Sequence, residues 1–583
     1  MKQPHKGRKF LVALIKPSHY DDDGYIIQWH RSAVPSNTLA AMYGLTQDLM
    51  ARSVLGEDVE ILVDAYDETN TRVPVNRIVR NIRRAGAGFV GFVGVQSNQF
   101  PRAMDMAKQF RTADIQVCIG GFHVSGCLAM LPALPDDIRQ AQDLGISLFA
   151  GEAEGRLAEV FRDACAGKMK HLYNYLNDLP AVEAQPTPFL PAHMLRRSLG
   201  AMTSFDAGRG CPFVCSFCTI INVQGRKSRR RSAEDIEQIV RRNAAQGVTR
   251  FFITDDNFAR NRDWEKIFDR LIMLQEKEDM TIRLTIQVDT MCHKIPRFID
   301  KAGQAGVRRA FIGLENINPD NLKQVGKKQN KIAEYRKLML AWRSAGVMTC
   351  AGYILGFPSD TPERIINDIE VIKRELPVDL LEFFFLTPLP GSADHRDMQA
   401  RGEWMEPDMN KYDLNHVTAG HATMSREAWE RAYQMAWDAF YTPEHIETVL
   451  KRARASGMSV GKMMFLMLWF YGCFKFEGLH PLEGGYFRYK YRLDRRPGMA
   501  IENPLLFYPR RAWEVVRGHV GIAAMLLKFA MLRRRIKADP AACNYTDAAL
   551  APVTENEQER LELLASAPSA TNLSLQSVSD KAG

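Results

Sequence analysis

The chain has 583 residues, too many for one ordinary domain, and about three or four domains are expected. Its 46% apolar and 25% charged content is that of an ordinary soluble globular protein. Most of its ten cysteines are scattered singly, which excludes a secreted disulfide framework, and the net charge of +9 permits contact with an anionic surface or nucleic acid without arguing for either.

From residue 10 to about 165, short apolar runs alternate with helical stretches. Phe10–Ile15, Val59–Val63, Gly88–Val95, Ile115–Ile119 and Ile146–Ala150 read as buried parallel strands. The first run follows a basic start and is too short for a signal-peptide core. Thr38–Ala51, Val75–Arg84, Arg102–Arg111 and Gly155–Ala166 read as the intervening helices, so residues 1–170 are expected to form a Rossmann-like, doubly wound parallel sheet. Residues 171–200, interrupted by Pro180, Pro186, Pro188 and Pro191, read as a linker.

A second β/α series follows over 201–400, with strands at Met202–Asp206, Arg250–Thr254, Leu284–Val288, Arg309–Ile312, Thr349–Ile354 and Leu381–Leu386. Ser232 with Asp235 signals a capped helix start, Gly247 its end, and Thr361-Pro362 another start. Six such units suggest a partial (β/α)6 TIM-type barrel, with its site at the carboxyl ends of the strands. Residues 401–537 read as mostly helical, and 538–583 as a disordered tail. The apolar runs Met463–Phe474 and Val520–Leu532 are too short to span a bilayer. The second is flanked by Arg510, Arg511, Arg517 and Arg533 to Arg535, so it reads either as a packed helix or as one lying in a membrane interface.

The most informative feature is Cys211, Cys215 and Cys218, a CxxxCxxC spacing. Three thiolates this close can converge on one iron–sulfur cluster and leave one iron open. A zinc site would need a second Cys/His pair nearby, and none follows. The spacing resembles the signature of the radical S-adenosylmethionine (SAM) superfamily. That resemblance implies a [4Fe-4S] cluster whose open iron binds SAM and, once reduced, cleaves it to a 5′-deoxyadenosyl radical.

The resemblance covers roughly residues 200–400. It implies that Asp255, Asp256 and Asn257, after the second strand, receive the SAM ammonium, for which a carboxylate is chemically apt. Ordinary turn residues would look the same. Gln287 and Asp289 on the third strand and Glu315 after the fourth occupy equivalent loop mouths, and Glu315 could take the ribose hydroxyls. In Gly352-Tyr353-Ile354-Leu355-Gly356-Phe357-Pro358, Gly352 and Gly356 would let backbone approach adenine, or merely end a strand. Thr387 to Ser392 looks like the sixth-strand exit of cobalamin-linked and methylthiolating members. The basic run Arg226 to Arg231 reads as a solvated loop or an anion clamp more readily than as a nucleic-acid site.

The N-terminal region resembles the cobalamin-binding domain that precedes many radical SAM methyltransferases. The matching pieces are Val63-Asp64, Val95-Gln96-Ser97, Gly120-Gly121-Phe122-His123 and Gly151-Glu152-Ala153-Glu154, each at a strand exit. The cobalamin-binding residues so implied are Asp64, Gln96, Ser97, Gly120, Gly121, Gly151 and Glu152. The Asp-x-His-x-x-Gly motif that gives histidine to cobalt is absent: His19 lies in a different context, and His123 reads as structural. A vestigial domain without corrinoid is the alternative.

Two classes of function follow. The first is a cytoplasmic enzyme, a cobalamin-dependent radical SAM methyltransferase of a small-molecule or lipid substrate, fed by an electron donor such as flavodoxin or ferredoxin. Peripheral contact with the inner face of a membrane stays open, and a ring-closing or oxidising variant would keep the same cofactors. Aromatic residues at Phe383–Phe385 and Trp469–Tyr471 could line an apolar pocket or be core. The second class is an RNA-binding, methylthiotransferase-type protein. It would require a further cysteine cluster and a small C-terminal β-barrel, and neither is visible, so no nucleic-acid partner is expected.

Overall fold

In a computed structural model, residues 7–325 and 331–566 are described. The first sheet is six-stranded and wholly parallel, in the order Val59–Asp67, Arg8–Lys16, Gly86–Phe92, Gln116–Gly120, Ser147–Ala150, Leu172–Asn174. The interior strand Arg8–Lys16 is buried on both faces, which explains its unbroken apolar run. The chain crosses first to one side of it and then to the other. This opens a crevice above the carboxyl ends of Arg8–Lys16 and Gly86–Phe92, where doubly wound sheets take ligands. Helix Asn37–Ala51 starts at this crevice, capped by the Ser36 side chain accepting from the Leu39 amide.

The second sheet is also six-stranded and parallel. Its strands Met202–Phe205, Arg250–Ile253, Arg283–Val288, Val307–Glu315, Met348–Leu355 and Leu380–Phe385 are neighbours in chain order, the arrangement of an open β/α barrel. The expected cap forms: Ser232 accepts from the Asp235 amide and Asp235 accepts from the Ser232 amide, starting helix Ala233–Ala244. Pro362 occupies the first turn of helix Pro362–Glu375. Past residue 401 the chain is mostly helical, with Arg426–Phe440, Pro443–Ala455 and Val460–Gly472 packed on the barrel's last strands.

Three segments differ from the sequence reading. Leu172–Asn174, inside the expected linker, adds a sixth strand to the first sheet, because Tyr173 is apolar enough to be buried there. The expected disorder from residue 538 does not hold for 540–566, which include helix Glu555–Ser566. Leu561 is buried, and Arg560 and Glu557 pair with Glu375 and Arg336. The remainder of that tail, 567–583, lies outside the described residues. The run Val520–Leu532 is the middle of one 35-residue helix, Pro504–Ala538, whose length and composition alone would let it cross a bilayer. Among the aromatic residues singled out, Phe384 faces a cavity, whereas Phe383 packs on Trp437, Phe385 stacks on Tyr433, and Tyr471 of the C-terminal region stacks on Tyr441.

Candidate active site

The carboxyl ends of both parallel sheets face each other across a single cavity of about 990 Å³. This is a large volume for a small-molecule site. Polar ties hold the two sheets' domains in register. Arg209 of the barrel donates to Glu152 and Glu154 of the first domain, each at 2.6 Å, and to Asp206 at 3.1 Å. Arg229 adds a second hold on Glu152 at 2.8 Å. All these side chains are largely buried. Burial alone would push the Glu154 and Asp206 carboxyls up, but Arg209 beside them holds both below the usual carboxylate range.

These ties revise two sequence expectations. Glu152 lines the cavity, but its carboxylate is committed to arginines. The second half of the basic run is likewise consumed internally, Arg230 pairing with Asp263 and Arg231 buried against the Asp206 carbonyl at 3.0 Å, while Arg226 and Lys227 stay exposed. An arginine already paired inside the fold has little to offer a phosphate backbone.

The cysteine loop leaves the strand Met202–Phe205 and runs to the short helix Ile220–Val223. Cys215 is buried, and Cys211 and Cys218 are partly so. The loop closes on itself through the Cys218 amide donating to the Cys215 carbonyl at 3.2 Å and the Cys211 amide donating to Gly225 at 3.3 Å. Its residues Phe217 and Thr219 stand on the cavity wall. Among the described residues, no three His, Cys, Asp or Glu side chains gather at one point to hold a single metal ion. A cluster does not need that, because each thiolate binds its own iron and the sulfurs stand apart around a cage. Burial pushes the Cys218 thiol up to about 12, so it stays neutral until a metal takes it. Three thiols on one short loop, beside a cavity, fit a cluster.

At the second strand's exit, neighbouring carboxylates point in opposite directions. Asp255 turns into the protein, where its Oδ1 accepts from the Ala207 amide at 2.7 Å and its Oδ2 from Asn261 at 3.4 Å. Asp256 turns into the cavity. Desolvation raises both, Asp255 to about 7 and Asp256 to about 6. Thr254 is on the cavity wall, and its hydroxyl accepts from Asn37 of the first domain at 2.9 Å. Asn257 does not face the cavity; its amide donates to Asp289 at 2.9 Å. Asp289 is also gripped by Arg260 through bonds of 2.6 and 2.9 Å. Gln287 reaches the Asp255 carbonyl at 3.3 Å, a backbone brace outside the cavity lining.

Glu315 is on the cavity wall with a left-handed φ of 64°, at a point where the pairing with strand Met348–Leu355 slips. A side chain held in that conformation carries strain of about 1–3 kcal/mol, and the bulge is what re-aims it into the site. Gly352 also lines the cavity. Gly356 does not: a Cβ there would lie 1.7 Å from the Trp429 ring, so its role is close helix packing.

On the first domain's side, Gln96, Ser97, Gly120, Gly121 and Gly151 all line the cavity. Gly121 has a further reason to be glycine, since a Cβ would lie 2.1 Å from the Val95 amide nitrogen. Asp64 is left on the sheet's edge strand, with Tyr66 as its partner at 3.4 Å, away from the cavity. His123 is structural: it is buried between Ser97 and Asp137, at 3.1 and 2.9 Å.

A third wall escaped the sequence reading. Asp413, Leu414 and the segment Leu482 to Gly484 close the cavity from the C-terminal region. There His19 Nε2 and Glu483 Oε1 are 2.9 Å apart, and Trp29 donates to the Glu483 carbonyl at 2.8 Å. Burial pushes the imidazole down and the carboxyl up, so the pair favours its neutral form. His19 is therefore engaged by protein.

Residues 207–372 match the Radical SAM superfamily. Bacteriochlorophyllide d C-8(2)-methyltransferase of Chlorobaculum tepidum is 25% identical over 352 residues, covering 57% of this chain and 73% of that protein. Hopanoid C-2 methylase of Rhodopseudomonas palustris is 24% identical over 356 residues, covering 60% of this chain and 64% of that protein, less than two thirds of its length. Among solved structures, the radical SAM methyltransferase TsrM from Kitasatospora setae, with cobalamin and a [4Fe-4S] cluster bound, has a TM-score of 0.52 at 16% identity over 69% of this chain and 80% of that one. The cobalamin-dependent radical enzyme OxsB, with aqua-cobalamin and SAM bound, has a TM-score of 0.52 at 13% identity, covering 95% of this chain and 84% of that one. These two likenesses establish a shared fold.

Proposed function

We propose, from the premise that residues 207–372 are a radical SAM domain, that this chain is a cobalamin-dependent methyltransferase acting on an unactivated carbon of an apolar small molecule or lipid. The observation that carries this reading is the single cavity bounded by the carboxyl ends of both parallel sheets, with the cysteine loop on its wall. When bound, the cluster with SAM supplies a deoxyadenosyl radical and cobalamin supplies a transferable methyl group.

In this reading Cys211, Cys215 and Cys218 hold the cluster. Asp256, the carboxylate that faces the cavity, accepts the SAM ammonium in a charge-assisted hydrogen bond. Glu315 offers its carboxylate to the ribose hydroxyls, and Gly352 leaves room for adenine. Asp255, Asn257 and Gln287 brace that rim through backbone and side-chain bonds. Gly120, Gly121 and Gly151 leave a flat wall for a corrin, and Gln96 and Ser97 offer neutral hydrogen-bonding groups to it. Aromatic side chains at Phe311 and Phe384 give the remaining space an apolar surface, suited to substrates like those named for the bacteriochlorophyllide and hopanoid relatives. Exposed Val214, at the tip of the cysteine loop, gives a flavodoxin or ferredoxin a surface close to the cluster. Thiols that must stay reduced favour the cytoplasm.

The test is turnover of anaerobically reconstituted protein with a cell extract, followed by mass spectrometry. Formation of both 5′-deoxyadenosine and S-adenosylhomocysteine, with a substrate gaining one methyl group, is expected. The triple Cys211→Ala, Cys215→Ala, Cys218→Ala protein should lose both its iron and deoxyadenosine formation, whereas Cys350→Ala should keep its iron. Deoxyadenosine alone, with cobalamin bound and substrate consumed, would replace methyl transfer by ring closure or oxidation.

A further inference from the structure

The helix Pro504–Ala538 has two opposite faces with different surroundings. On one face Phe507, Gly518, Phe529 and Ile536 are buried against the body of the protein. The opposite face carries Trp513, Val516, Val520, Leu527 and Met531, between 53% and 66% exposed. These five recur at spacings of three, four and seven residues, which lays them in one stripe along the helix. Leu505, 81% exposed, begins the same stripe. Single exposed apolar residues are ordinary, but a continuous apolar stripe along a long helix marks an interaction site.

Charge identifies what the stripe meets. Between Pro504 and Ala538 there are eight Lys and Arg residues and one acid, Glu514. Arg510, Arg517, Lys528 and Arg535 recur along one flank of the stripe at heptad-like spacing. Among the described residues, Arg517 and Lys528 have no ion-pair partner, although Arg510 pairs with Glu502 and Arg535 with Glu447. The other flank is aromatic: the Phe487 ring lies 5.8 Å from His519, beside exposed Tyr486.

We infer that this face of the helix lies in the interface of an anionic phospholipid membrane, with the apolar stripe among the acyl chains and the arginine and lysine flank at the phosphates. The helix is long enough to cross a bilayer, but it is tied along its length. Phe507 packs 5.5 Å from the Tyr25 ring near one end, Arg535 holds Glu447 near the other, and helices Pro443–Ala455 and Val460–Gly472 run beneath it. Such a helix lies flat. An antiparallel second copy is a poor occupant, because apposing two of these faces that way would bring like-charged flanks together.

The location suits delivery of an apolar substrate. Strand Gly485–Tyr489, whose Phe487 flanks the helix, pairs with strand Gln28–Ser32, whose Trp29 lines the cavity. Leu482 also lines the cavity and is half exposed. Substrate entry from the lipid surface beside Leu482 rests on the proposed function; membrane contact itself does not.

The test is flotation of the full-length protein with vesicles of phosphatidylcholine alone or containing phosphatidylglycerol, with no turnover required. Binding to the anionic vesicles is expected, weakened by salt, with a blue shift of tryptophan emission that Trp513→Phe removes. Replacing Arg517 and Lys528 together with Glu should weaken binding at least about tenfold, since each basic residue near an anionic surface contributes about a fivefold gain. Val520→Glu with Leu527→Glu should abolish binding while leaving the melting temperature unchanged, because both side chains already face outward. Absence of flotation with either vesicle overturns the inference. So does a dimer, seen by light scattering without lipid, that these same variants dissolve. Resistance to alkaline carbonate extraction from cell membranes would show a spanning helix and overturn the in-plane placement. A protein that binds vesicles and yet forms no methylated product would separate this inference from the proposed function.

Discussion

The two sheet ends that face each other across the cavity are built alike in topology and differently in chemistry. The first domain presents mostly neutral groups: glycines at 120, 121 and 151 and the polar side chains of Gln96 and Ser97, with Lys16 as the cation among them and its one cavity-lining acid pair, Glu152 and Glu154, neutralised by Arg209. The barrel presents Asp256 and Glu315, beside aromatic Phe311 and Phe384. A wall of small neutral groups suits a broad, flat ligand read by shape. A wall with carboxylates suits a small ligand carrying a positive charge, recognised by charge-assisted bonds. Both walls are the carboxyl ends of parallel strands, so the difference lies in loop residues and not in the scaffold.

Removing the tie between the walls should have the largest effect. Arg209→Ala leaves the Glu152, Glu154 and Asp206 carboxylates largely buried with weakened compensation, and breaking a buried pair in this way costs about 3–5 kcal/mol. Denaturant unfolding should show that loss, or an early separate transition as the two domains part. Arg209→Met together with Glu154→Gln should recover much of it, because it removes the one carboxylate that Arg209 alone compensates, while Glu152 keeps Arg229 and Asp206 keeps Arg231. An unchanged unfolding midpoint in Arg209→Ala would mean that the walls are held without Arg209, by the Arg229–Glu152 and Asn37–Thr254 ties and by apolar contacts.

The barrel wall can be sharpened with neighbouring aspartates. Asp256→Asn should weaken SAM binding by about tenfold or more, as expected for losing one charged hydrogen bond of about 1.5–3 kcal/mol, with little change in melting temperature. Asp255→Asn should do the reverse, lowering the melting temperature because its one amide oxygen can still accept from Ala207 but its NH2 then faces the Asn261 donor. Equilibrium dialysis with SAM and thermal melts on both variants separate the roles. Equal loss of SAM binding in the two would merge them again.

The sequence made the strands legible because parallel strands covered on both sides are nearly continuous apolar runs, Phe10–Ile15 being the plainest. The cysteine loop was legible from spacing alone. Side-chain direction was not: Asp255 and Asp256 are adjacent letters, and only the fold decides which one the Ala207 amide captures. Contacts between distant segments were equally hidden, since His19 and Glu483 are 464 positions apart. The long C-terminal helix was masked by Pro509 and by arginines that cut its apolar runs into short pieces. Residues 540–566 lack an obvious hydrophobic period and owe their order to partners elsewhere, such as Glu375.

The third wall, contributed by the C-terminal region, should answer to pH with a smaller effect. His416 bridges Asp413, at the cavity, and Asp22, in the loop after the first strand, with contacts of 2.9 Å to each. Burial works against its charge, but the hydrogen bonds to Asp22 and Asp413 prevail and hold it up at about 10. Asp22 is correspondingly lowered, with the His416 hydrogen bond as the main cause. A histidine whose pKa is raised on folding contributes stability that is complete below its unfolded value, near 6.5, and is lost as pH rises through about 10. The wild-type melting temperature should therefore decline between those limits more steeply than that of His416→Gln, which keeps a neutral hydrogen-bonding side chain and has no proton to lose. Parallel pH–stability curves for the two proteins would show that the bridge holds little charge, leaving this wall in place through the Tyr433 hydroxyl's bond to the Leu414 carbonyl and the packing around it.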